Sequence, residues 1–202
     1  MRRAVIGAAL LLIVAAAGWA AEEFKPDDEG FIRNWLVLAP IPLAEGQSGA
    51  EGVVKEQVAG EAGLKPKEGD TAKAGDKELT WKKYQASDYF IDFNGHLGAQ
   101  TENSVAYAVC YVNTDDEMPN LTMKIGSDDQ SKVWLNGKEV LKQPEARALD
   151  KDQDTVENII LKKGSNVLVF KVVNEGGDWS GCVRFVDKEG KPVKNLKISL
   201  AP

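Results

Sequence analysis

Histidine and cysteine are scarce in this chain, with one His96 and two cysteines, Cys110 and Cys182, in 202 residues. A lone histidine cannot anchor a His-rich metal centre, and two distant cysteines do not supply the paired spacing of a zinc site. No local motif supports a serine or cysteine nucleophile with His96 as its base. Alternating long helical segments are also missing, which argues against a parallel α/β sheet. Basic excess is missing too: 31 acidic residues face 25 basic ones, for a formal charge of −6, which opposes the phosphate backbone of a nucleic acid. The expectation is a chain without catalytic function. A pair of carboxylates acting on a glycosidic bond stays open as the least favoured class, because its geometry is three-dimensional.

A single long apolar run, Ala4 to Ala17, follows Arg2 and Arg3 and precedes the small-x-small site Gly18-Trp19-Ala20. This reads as a signal peptide over residues 1–20, with a retained anchor as the alternative. Glu22 and Glu23 follow at once, and no cysteine stands nearby to accept a lipid. Removing Arg2 and Arg3 with that segment shifts the formal charge from −6 to −8. The expected product is secreted or periplasmic, with no membrane span after signal removal. An oxidising compartment permits a disulfide between Cys110 and Cys182, the alternative being two buried thiols.

What remains, residues 21–202, reads as one domain made of short strands. Phe31 to Pro40 is aromatic and β-branched and is expected to stop at Pro40 and Pro42. Residues 44–78 are rich in Gly, Glu, Lys and Ala and read as a long surface excursion, with one short helix around Ala50 to Ala59. Strand-like runs then follow from Leu79 to Leu200, separated by turns such as Asn94-Gly95, Asn136-Gly137 and Gly176-Gly177-Asp178. This pattern predicts an all-β antiparallel sandwich with at most one or two short helices. Val105 to Val112 and Val167 to Val173 are apolar enough to be covered on both faces. Asn136-Gly137 is a strong hairpin signal, which sets Trp134 opposite Glu139 and Val133 opposite Val140.

Chemistry-bearing residues cluster in few places. Asp128 and Asp129 sit at a strand-to-strand turn, where carboxylates accept backbone N–H groups or coordinate a hard cation such as Ca2+. Asp152 and Asp154 alternate in Asp150-Lys151-Asp152-Gln153-Asp154 and could suit calcium, although the glycine and distal glutamate of an EF-hand loop are missing. Sugar recognition needs an exposed aromatic face with amide or carboxylate partners. Trp179, Asp178, Trp134 and Asn136 are the candidates, with Tyr84 and Tyr89 behind them. Trp179 follows a glycine-rich loop, although a tryptophan in a sandwich is more often a core residue.

Gly126-Ser127-Asp128-Asp129 with Lys132 to Val140, then Leu161 to Leu168 and Trp179, resembles the galactose-binding-domain-like jelly rolls. The Ser-Asp-Asp entry to the hairpin also resembles the PA14 module. The whole chain after the signal is similar to secreted proteins of planctomycete-type bacteria, through Phe31 to Pro42, Gly60 to Asp70, Thr80-Trp81-Lys82 and Asn174 to Gly181. The resemblance implies a jelly-roll sandwich, and sugar or calcium contacts at Asp128 and Asp129. Two functions follow as expectations. One is a carbohydrate-binding-like or surface-interaction module whose partner is a glycan or an extracellular protein. The other is a structural or assembly protein of the cell envelope. A glycan binder should expose Trp134 or Trp179 in a groove, and an assembly module should expose a broad apolar patch.

Overall fold

The computed structural model describes residues 22–202, so the expected signal peptide lies outside the described residues. The chain runs through β1 (Glu23–Phe24), β2 (Asn34–Pro42), α1 (Gly49–Val54), a 3-10 turn (Glu61–Gly63), β3 (Thr71–Ala74), β4 (Lys77–Thr80), β5 (Lys82–Gln85) and β6 (Ile91–Asp92). It continues with α2 (Phe93–Leu97), β7 (Ser104–Thr114), β8 (Met118–Asp128), β9 (Ser131–Leu135) and β10 (Lys138–Gln143). Last come β11 (Asp154–Leu161), β12 (Gly164–Asn174), β13 (Ser180–Val186) and β14 (Lys197–Ser199). The larger sheet has the order β1-β14-β7-β12-β9-β10, with β2 between β5 and β7; the smaller has the order β11-β8-β13-β6. All pairings are antiparallel, and the two sheets pack into the expected all-β sandwich.

The axis of the larger sheet is the β7–β12 pair, in register from Thr114↔Gly164 to Ser104↔Asn174 without a bulge. Phe170 of β12 faces the smaller sheet: a Cβ placed on Gly181 of β13 would come within 2.5 Å of its ring. Phe170 is opposite Ala108, so by alternation Cys110 and Leu168 share that inner face while Tyr107, Lys171 and Tyr111 point the other way. Both faces are nevertheless buried. That is the two-sided coverage expected of these strands.

What covers the outer face is the segment expected to be a surface excursion. Tyr111 donates its hydroxyl to the carbonyl of Pro66 at 2.6 Å, and Lys171 Nζ donates to the carbonyl of Lys55 at 2.6 Å and to Glu61 at 3.0 Å. Tyr107 donates to the same Glu61 carboxylate. Val53, Val58 and Trp81 are buried in this layer. The segment's Gly, Glu and Lys content hid its role, because only a few apolar positions are needed when the sheet supplies most of the apolar surface.

Three local expectations are corrected. Strand β2 does not stop at Pro40 but runs to Pro42, with its register on β7 shifting between Leu38 and Ile41; that irregularity accommodates residues without an N–H. Asn94-Gly95 is not a hairpin turn but part of α2, because the Asp92 side chain accepts the N–H of Gly95 and caps the helix. Trp134 does face Glu139, but Val133 meets Leu141, because a bulge between Glu139 and Leu141 skips Val140.

Candidate functional site

One end of the smaller sheet brings carboxylates into a single row. Asp92 of β6 is the register partner of Ser180 in β13, and Ser180 is the partner of Asp128 in β8. Side chains in one row across a sheet share a face, and two strand spacings set the outer backbones roughly 10 Å apart. Asp178 arrives from the glycine-rich loop before β13. These residues line a pocket of about 360 Å³ with Tyr89, Phe90, Ala148, Leu149 and Trp179. Tyr89 and Phe90 are half-buried and meet edge to face, with ring centroids 5.1 Å apart.

The adjacent pair Asp128 and Asp129 is divided by its surroundings. Asp129 accepts the backbone N–H of Arg147 at 3.2 Å and that of Glu175 at 2.9 Å, tying the turn to two loops. Asp128 lines the pocket and is 8% exposed. Burial, reinforced by the charges of Asp129 and Asp178, pushes its carboxyl up to about 6, against the backbone N–H of Leu149, which favours the anion. Nearby cations are engaged elsewhere. Arg147 pairs with Asp154, Arg184 pairs with Asp152 at 2.9 Å, and Lys151 pairs with Glu29 at 2.8 Å.

These pairings bear on the calcium expectation. Asp152 is held by Arg184 and Asp154 by Arg147, and they do not form a cation site with Asp128 and Asp129. Among the described residues no group of three or more His, Cys, Asp or Glu side chains is placed to hold a metal ion.

The tryptophan expectation is corrected as well. Trp179 is 1% exposed and packs on Phe93, ring centroids 5.1 Å apart, so it forms the floor of the pocket, not an exposed stacking platform. Its indole N–H has no acceptor among the described residues. Trp134 is 3% exposed on the outer face of the larger sheet, with Lys132 Nζ 4.9 Å from its ring. Asn136 is remote from the pocket and structural: its amide bridges to Asn166 at 2.9 Å and accepts the N–H of Val167 at 2.9 Å. Of the sequence candidates, Asp128, Asp178, Trp179 and Tyr89 come together. Phe90 and Asp92 were missed, although Asp92 ahead of Asn94-Gly95 carries a helix-cap signal.

Cys110 and Cys182 are both free and buried, which corrects the disulfide. Cys110 points into the sandwich, whereas Cys182 alternates with inward Gly181 and therefore points outward, beneath the loop carrying Leu149 and Asp150. The smaller sheet itself separates the two sulfurs.

No protein-family model matches the chain, and no curated protein sequence matches it. Among solved structures, the crystal structure of a GH31 alpha-xylosidase from Xanthomonas citri is similar at 12% identity and a TM-score of 0.30, over 90% of this chain and 20% of the enzyme's. The chain thus spans about a fifth of that enzyme's length.

Proposed function

We propose that this protein is an exported, non-catalytic carbohydrate-binding module whose site is the pocket at the Asp128 end of the smaller sheet. The observation that carries the reading is the convergence of half-buried Tyr89 and Phe90 with Asp92, Asp128 and Asp178 around one cavity of about 360 Å³. Aromatic rings offer a face to sugar C–H groups, while carboxylates accept its hydroxyls, the division of labour of small-molecule pockets. Export rests on the signal-like segment before residue 21. Among the described residues no helix is long and apolar enough to cross a membrane. The assembly reading has less support: among the described residues the exposed large apolar side chains are Val54 and Ile160, on separate elements.

A hydrolytic reading has one observation in its favour, since Asp128 at about 6 lies near the range of a general acid. Against it, Asp92 already accepts the N–H of Gly95 at 2.8 Å, and its carboxylate holds α2 in place. A glycan array of the secreted protein, with Tyr89→Ala as control, tests the binding reading. Binding that depends on Tyr89 without release of reducing ends is the expected result; undiminished binding by Tyr89→Ala would remove the site from this pocket.

A further inference from the structure

We infer that Lys171 and Glu61 become covalently joined in the folded protein, their ammonium and carboxylate condensing to an amide that fastens the cover of residues 44–78 to the larger sheet. Lys171 is central in β12 with a fully buried side chain, and Glu61 in the 3-10 turn is 6% exposed. Nζ of Lys171 lies 3.0 Å from Oε2 of Glu61, across 110 positions of sequence. Neither residue lines the pocket at the Asp128 end, so the inference stands apart from the carbohydrate reading.

Three observations favour a bond over a lasting ion pair. An ammonium has three N–H donors, and among the described residues this one has two acceptors, Glu61 and the Lys55 carbonyl at 2.6 Å. An amide nitrogen has one N–H, for which the Lys55 carbonyl suffices. Secondly, burial disfavours the ammonium and the like charge of Lys132 adds to it, against the pull of Glu61, so the lysine is driven towards the free amine that condensation needs. An amide is uncharged and escapes the desolvation cost that a buried ion pair bears. Thirdly, the Tyr107 hydroxyl donates to the same Oε2, so the oxygen that must depart already carries a proton donor. The step balances within the pair. Nζ gives up two of its three protons and bonds to Cδ, the Cδ–Oε2 bond breaks, and Oε2 takes both protons and leaves as water. Nothing is oxidised or reduced, and no outside reactant enters. A site closed to solvent also protects the product from hydrolysis. Both cysteines are free, so no disulfide fastens this cover.

The test is the mass of the intact wild-type protein, reduced and denatured, followed by tryptic mapping. The expected mass is one water below that of the sequence. Trypsin cannot cut at a linked Lys171, so residues 56–67 should emerge joined to residues 164–184. Lys171→Arg keeps the positive charge but cannot form this amide, and it should show the full sequence mass; the same loss of water in it would overturn the inference. Tyr107→Phe keeps both partners and should carry a larger unlinked fraction at harvest. Complete linkage in that variant would overturn the part given to Tyr107. A wild-type chain at its full sequence mass would overturn the whole inference. So would a missing water with the two peptides separate, since an aspartate can lose water to its own backbone.

Discussion

Replacing Glu61 by alanine should be among the most damaging single changes in this protein, although Glu61 lies in the segment whose composition reads as surface. Lys171 is central in β12 with a fully buried side chain, and its ammonium has two acceptors, the Glu61 carboxylate at 3.0 Å and the Lys55 carbonyl at 2.6 Å. Burial holds its pKa below the ordinary lysine value while Glu61 pulls the other way. Removing the carboxylate leaves a buried cation with one neutral acceptor and deprives the Tyr107 hydroxyl of its acceptor.

Breaking one side of a buried ion pair costs about 3–5 kcal/mol. For a chain of this size each kcal/mol is worth about 2–4 °C in melting temperature, so a fall of roughly 10 °C is expected. Calorimetry or urea denaturation would measure it. The double variant Glu61→Leu with Lys171→Met exchanges the pair for apolar side chains of similar volume and should be less destabilised than Glu61→Ala alone. A loss below ~1 kcal/mol for Glu61→Ala would refute the argument, because it would mean that water reaches Lys171 and that residues 44–78 do not seal the face.

Gly126→Ala should cost about 2 kcal/mol and weaken ligand binding, because its Cβ would stand 2.2 Å from the carbonyl oxygen of Asp150 and push out the loop that carries Ala148 and Leu149, a wall of the pocket. Unchanged binding and stability would mean that this loop is not seated on Gly126. Burial drives the Cys182 thiol up to about 12 and Cys110 well above its ordinary value, so a thiol reagent at pH 8 should label neither cysteine in the native protein and both after denaturation. An intact mass short by two hydrogens would contradict this. Asp128 binds its proton more tightly when folded, at about 6 against 3.8, so stability should fall as pH rises from about 4 to 6. At about 1.4 kcal/mol per pH unit the full effect would be ~3 kcal/mol, reduced to ~1 kcal/mol by water at the pocket mouth. Asp128→Asn should flatten that slope, and an unaltered urea midpoint profile would show that Asp128 is not the group responsible.

How much of this was legible in the sequence depends on the range of the interactions. The sandwich was legible because alternation and turn chemistry act over a few residues: Asn136-Gly137 makes its hairpin, and β7 and β12 are apolar on both faces and lie at the centre of the larger sheet. The cover over Tyr107, Lys171 and Tyr111 was not, since a single carboxylate and two backbone carbonyls do that work from sequence positions 45 to 116 residues away. Glycine and charge in residues 44–78 describe their own exposed side and say little of the side facing the sheet. Trp134 and Trp179 failed as stacking platforms for a related reason. A large ring is buried wherever a sheet face finds a partner, and that partner is decided by the fold.

The two neighbouring aspartates show where local chemistry ends. Turn geometry alone predicts that both Asp128 and Asp129 satisfy backbone donors, and for Asp129 this holds, with Arg147 and Glu175 N–H groups on its two oxygens. Asp128, one residue earlier, meets the single backbone N–H of Leu149 and also joins the row Asp92–Ser180–Asp128, because β13 pairs with both β6 and β8 at that level. The structural carboxylate and the pocket carboxylate are therefore separable. Losing the Asp129 carboxylate should release the turn and lower stability, whereas losing the Asp128 charge should leave the turn in place and remove affinity. A site built this way ties binding to strand register, since a slip of one residue in β13 would break the row and turn its side chains to the other face.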